Sequence, residues 1–163
     1  MLKKLKIYID TSAIGYLDEQ TSPKEMADML ALWDKIKQST YDAVISDVVL
    51  NELRDNKNLE KVKVLFGFLS EISYDTVEVN DEIERIADLV KRNDLLVSDK
   101  HRNDRLHIGC AVVGGCDILV SLNFKHLVNV RTVKGVRGIA GLGGYGYMDI
   151  VPPKMLIEEE GDE

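Results

Sequence analysis

NDRLHIGCAVVGGCDILVSLNFKHLVN, Asn103–Asn129, changes its hydrophobic period partway along. RLHIGCAVV reads as a helix opened by Asn103 or Asp104 and stopped by Gly114-Gly115. DILVS, Asp117–Ser121, then reads as a short buried strand, rich in Ile, Leu and Val. A helix running straight into such a strand is the repeating unit of a parallel sheet, because parallel strands need a crossover connection.

Working outward, the same alternation recurs. LKIYID, Leu5–Asp10, reads as the first strand, and DAVIS, Asp42–Ser46, as the second. Asp75–Val79 reads as the third, and Tyr147–Val151 as a final strand before Pro152-Pro153. Between them, Ser22-Pro23-Lys24-Glu25 has the form of a capping box with Pro at the first helical position. Ser46 and Asn80 stand where the next helices need caps, and another helix runs over Leu59–Leu69. The polar stretch Asn93–Asn103 reads as a loop. So does Gly135–Gly146, which holds six of the chain's 12 glycines. The expectation is an α/β fold: a three-layer α/β/α domain with a central parallel sheet of four to five strands.

At 163 residues the chain suits one domain, here 1–157, followed by an acidic tail at 158–163 that we expect to be disordered. Apolar residues make up 45% and charged residues 30%, a globular rather than a disordered composition. Apolar runs stay short, so neither a membrane span nor a signal-peptide core is expected, and a cytoplasmic location is. Cys110 and Cys116 lack metal-site spacing and read as reduced, packed thiols.

The net charge of −7 speaks against a globally basic nucleic-acid binder. The uneven distribution of charge weakens that exclusion. Five acids lie in Glu158–Glu163, whereas Ile118–Met148 contains no acid but has Lys125, Arg131, Lys134 and Arg137.

In an open parallel sheet, ligands bind beyond the carboxyl ends of the strands. That rule gathers Asp10 at the end of the first strand, Glu52 in the helix after the second, Asp104 at a helix start and Asn123 just past the fourth strand. Asp117 stands at the opposite end of its strand, about 13 Å away, and reads as a turn residue. Carboxylates brought together raise one another's pKa unless a cation offsets them. Mg²⁺ suits such a site and supports metal-assisted phosphodiester hydrolysis. Taken singly, each acid also reads as a cap or a solvated side chain.

IDTSAIGYL at Ile9–Leu17, SDVVLNELRD at Ser46–Asp55, Asn103–Asn129 and GYGYMDIVPPKML at Gly144–Leu156 resemble the successive blocks of a PIN domain. The resemblance implies an Mg²⁺- or Mn²⁺-dependent endoribonuclease, often the VapC-like toxin of a toxin–antitoxin pair. It implies an RNA substrate, and it admits an antitoxin partner and a homodimer. Asp10, Glu52 and Asp104 match the family's catalytic and metal-holding acids, and Ser12 matches the small polar residue supporting the first. The family commonly has a fourth acid, Asp, where this chain has Asn123 or His126. That loss of charge also admits a non-catalytic PIN-like module that binds RNA or protein. Arg54, His107, Lys125 and His126 are the nucleic-acid-binding candidates; Arg102 and Arg105 flank an acid, and Asp55, Asp94 and Asp99 read as solvent-exposed.

Overall fold

A computed structural model describes residues 3–158. Most of the acidic tail therefore lies outside the described residues. Five strands form one parallel sheet: β1 (Lys6–Ile9), β2 (Asp42–Ser46), β3 (Tyr74–Val77), β4 (Ile118–Val120) and β5 (Asp149–Val151). Their order is β3-β2-β1-β4-β5. The helices are α1 (Thr11–Gly15), α2 (Pro23–Lys37), α3 (Asp47–Arg54), α4 (Leu59–Leu69), α5 (Asp81–Arg92), α6 (Arg102–Val113), α7 (Val130–Leu142) and α8 (Lys154–Ile157). The expected α/β fold is the one observed.

Ile7, Tyr8 and Ile9 of β1 are fully buried because this strand is central and covered on both faces. The chain first builds outward from β1 through β2 to β3, then crosses to the other side for β4 and β5. The strand order thus reverses between β1 and β4, which makes the crevice beyond their carboxyl ends the favoured ligand position. Ile9 pairs with Val120 in register, and the Asp10 amide continues the pairing to the Val120 carbonyl at 3.2 Å.

Asp117 behaves as expected of a turn residue at the far edge. Its carboxylate accepts from the Lys6 amide at 2.9 Å and pairs with Lys3 at 3.3 Å.

Three local expectations need correction. Gly135–Gly146 is not all loop, since α7 runs to Leu142. Asn129 caps that helix by accepting from the Thr132 amide, and Thr132, Val136, Ile139 and Ala140 bury one face at helical spacing. Gly135 is small because Leu95 lies where a Cβ would stand; its glycine signals close packing rather than a turn. Second, α6 starts at Arg102 and is preceded by a 3₁₀ turn at Asp99–His101, shortening the expected loop. Third, the Ser22 side chain makes no capping bond, so α2 begins on Pro23, whose fixed φ suits that position.

Candidate functional site

Asp10 ends β1 and caps α1. Its Oδ1 accepts from the Ala13 amide at 2.9 Å and from the Ser12 hydroxyl at 2.7 Å. The residue is only 2% exposed. Burial pushes its carboxyl above the ordinary range, opposed by the charge of His107 and by bonds from Ser121, Ala13 and Ser12. The Ser12 Oγ that donates to the acid also accepts from the Leu122 amide at 3.3 Å. One hydroxyl ties the ends of β1 and β4 together.

Glu52 projects from α3 onto α6 and α1. Its Oε1 accepts from the Thr11 hydroxyl at 2.7 Å and meets His107 Nε2 at 2.6 Å. Burial raises the Glu52 carboxyl, but the hydrogen bond and charge of His107, with bonds from Thr11 and Asn103, outweigh it. The net result is a carboxyl held below its usual range. An ionised Glu52 requires a proton on His107 Nε2, and the other ring nitrogen, Nδ1, is hydrogen-bonded to the Tyr8 hydroxyl at 2.7 Å. Burial pushes the Tyr8 hydroxyl well above its ordinary pKa, keeping it a donor. The same hydroxyl is hydrogen-bonded to the Ser46 hydroxyl, 2.7 Å away. Ser46–Tyr8–His107–Glu52–Thr11 is a continuous chain across five elements, and among the described residues no buried side-chain polar atom lacks a partner.

His107, one turn beyond Asp104 in α6, faces the acids as the buried link that positions Glu52. Sequence reasoning missed Tyr8 and Thr11. Thr11 follows the first acid directly, and Tyr8 is a hydroxyl two residues before it within an otherwise apolar strand; both are legible signals. Tyr8→Phe should leave Ser46 and His107 Nδ1 without their shared partner. We expect a loss of about 1–3 kcal/mol, measured by urea unfolding.

Asp104 lies in the first turn of α6 with its Oδ2 3.2 Å from His101 Nδ1. His101 is the third residue that sequence reasoning missed, and its ring meets that of His126 at a tilt of 53° with centroids 4.1 Å apart. Partial burial, with His101 and Lys125 nearby, lowers the His126 pKa despite Asp104. Asn123 accepts from the His126 amide at 3.1 Å, so its carbonyl oxygen shapes the turn after β4.

The remaining arginines take structural partners. Arg54 lies over the Phe66 ring, Arg102 pairs with Glu84 at 2.9 Å, and Arg105 is buried against the Leu96 and Ser98 carbonyls. Asp55, Asp94 and Asp99 are exposed, as expected. Cys110 and Cys116 are free and buried, with burial pushing their thiols up to about 11 and about 12.

Three carboxylates are the right donor type for Mg²⁺ or Mn²⁺, and each belongs to the carboxyl edge of the sheet. Their present positions do not surround one point. Among the described residues, no three His, Cys, Asp or Glu side chains lie close enough to share an ion. Glu52 and Asp104 are each drawn to a histidine instead.

No family model matches the chain, and no curated protein matches it by sequence. Solved structures do match in shape. The VapBC2 complex from Rickettsia felis, bound to a DNA fragment from its promoter, aligns with a TM-score of 0.54 and 15% identity, over 91% of this chain and 98% of the other. DNA-bound VapBC from Salmonella typhimurium aligns at 0.57 and 14% identity, covering 91% and 98%. FitAB bound to an IR36 DNA fragment aligns at 0.57 and 14%, covering 96% and 99%. With its five parallel strands in the order β3-β2-β1-β4-β5, the chain shares the fold of the chains it aligns with in the VapBC and FitAB complexes.

Proposed function

We propose that this chain is a PIN-type endoribonuclease, hydrolysing RNA phosphodiester bonds with Mg²⁺ or Mn²⁺, and the toxin of a toxin–antitoxin pair. The observation that carries the reading is Asp10, a buried carboxylate built into the strand-order reversal of a VapC-like fold. Burying a carboxylate is costly, and a core needs no acid there. Glu52 and Asp104 stand on the neighbouring helices α3 and α6. Their turning from His107 and His101 towards Asp10 would complete the set. A divalent ion held by Asp10, Glu52 and Asp104 would supply an activated water and charge for the leaving oxygen. Before that turn Thr11 and His107 hold Glu52 ionised, and Ser12 and Ala13 orient Asp10. The structural neighbours are two-component complexes, which supports an antitoxin as this chain's partner.

The test is RNA cleavage by the wild-type protein and by Asp10→Asn, each with Mn²⁺ and with chelator. Cleavage confined to wild type with metal supports the reading; equal cleavage in all four arms overturns it. The ties of Glu52 and Asp104 to histidines, together with the neutral Asn123, favour a second reading, a non-catalytic module that binds RNA or protein. Calorimetry with Mn²⁺ separates the two: no heat of binding at millimolar metal selects the module.

A further inference from the structure

Beside Asp104 lies a cavity of about 570 Å³ that the hydrolytic site does not use. Its size is that of a small-ligand pocket. One side is cationic and imidazole-bearing: His101, His126, Lys125 and Arg131 line it. Leu96 and Val97 give it an apolar side, and the Asp94 backbone closes the rim by accepting from Arg131 at 3.0 Å.

The wall is built, not a slack loop. Asp94 and Leu96 both have left-handed backbone, with φ of 60° and 51°. For residues other than glycine this conformation costs free energy and persists only when the surroundings impose it. Arg105 imposes it: the residue is 6% exposed, and its guanidinium donates to the Leu96 and Ser98 carbonyls. Opposite, the turn carrying Lys125 and His126 is fixed by Asn123, which accepts from the His126 amide, and by Thr132, which donates to the His126 carbonyl at 2.8 Å.

We propose that this cavity takes one nucleotide unit of RNA, its phosphate on Lys125 and Arg131 and its base against the contacting His101 and His126 rings and the Leu96–Val97 side. The chemistry is that of a nucleoside monophosphate. Cations alone would accept any anion, and apolar walls alone any small ring; a pocket with both needs both in one ligand. Through His101 the pocket wall contacts one of the three acids, Asp104, so a bound nucleotide would bear on which phosphodiester reaches that acid. The inference deepens the ribonuclease reading and rests on it for the identity of the polymer.

The chain has three histidines, His101, His107 and His126, and buried His107 is an internal reference for the other two. Side-chain ¹H–¹⁵N NMR should show adenosine 5′-monophosphate shifting His101 and His126 but not His107. Adenosine and inorganic phosphate should each bind at least tenfold more weakly, and Lys125→Ala/His126→Gln should weaken the monophosphate at least tenfold. A short RNA added to Asp10→Asn protein should displace the monophosphate. No shift at His101, equal shifts at all three histidines, or unchanged affinity in the double variant would overturn the pocket. Failure of RNA to displace the monophosphate would overturn its assignment to RNA. Binding is read without cleavage, so an inactive protein that still binds the monophosphate loses the ribonuclease reading and keeps the pocket.

Discussion

Asp10→Asn should lower RNA cleavage by about 10²–10³-fold and at the same time raise the melting temperature. The first effect is what removal of one well-placed electrostatic group from a reacting centre commonly costs. The second follows from burial. Asn is nearly isosteric, and its Oδ1 can keep the bonds from Ala13 and Ser12 that the structure shows. What disappears is a charge in a residue 2% exposed. A folded-state pKa above the unfolded value of about 3.9 means that folding opposes ionisation. Wild type is therefore relatively most stable below that value and loses stability as pH rises through the higher folded pKa. The variant has no such loss, so its thermal advantage should widen from about pH 4 upward. Melting curves at several pH values check this, and a variant that melts below wild type at neutral pH would contradict the burial argument. Gain in stability with loss of activity is the signature of a functional rather than a structural acid.

Gly109→Val should destabilise the fold by about 1–3 kcal/mol and reduce activity together with stability. A Cβ at Gly109 would sit 2.7 Å from the Ile83 carbonyl oxygen, where α6 crosses α5. That oxygen is backbone, so relief requires the two helices to separate rather than one side chain to turn. Because α6 also bears Asp104 and His107, the separation moves two groups of the site. At this chain length, the loss corresponds to roughly 2–4 °C per kcal/mol. Gly138→Ala is the control: nothing lies within 4 Å of its Cβ position, and a helical alanine should add about 0.5–1 kcal/mol. If both substitutions have the same sign, close packing at Gly109 is not the reason for its glycine.

The central elements are legible because their signals are local. DAVIS matches β2 residue for residue, and Ser46 and Asn80 cap helices as their side chains predict. Asp10 is legible as a strand-end acid, and the length of β4 correctly sets Asp117 apart. The glycine-rich stretch after Asn129 reads as loop yet forms much of α7, because glycine has two physical uses. It relaxes turns, and it lets elements approach closely; only the partner, here Leu95 against Gly135, distinguishes them. The Ser22 capping box fails for a related reason: the residue types permit the bond, while the entering backbone, with φ −128° and ψ 69°, does not place it.

The sequence by itself determined the alternation of strands and helices, the parallel sheet and the strand ends where polar residues collect, because hydrophobic period and caps act within a few residues. Only the tertiary structure decided what those polar residues do with one another. Tyr8, Glu52 and His107 are separated by up to 99 positions yet share one hydrogen-bonded chain. His101 and His126, 25 apart, meet ring against ring in one wall of a cavity. Spacing along the chain cannot state such pairings, because hydrogen bonds and ring contacts act over a few ångströms and depend on which surfaces the core has brought together.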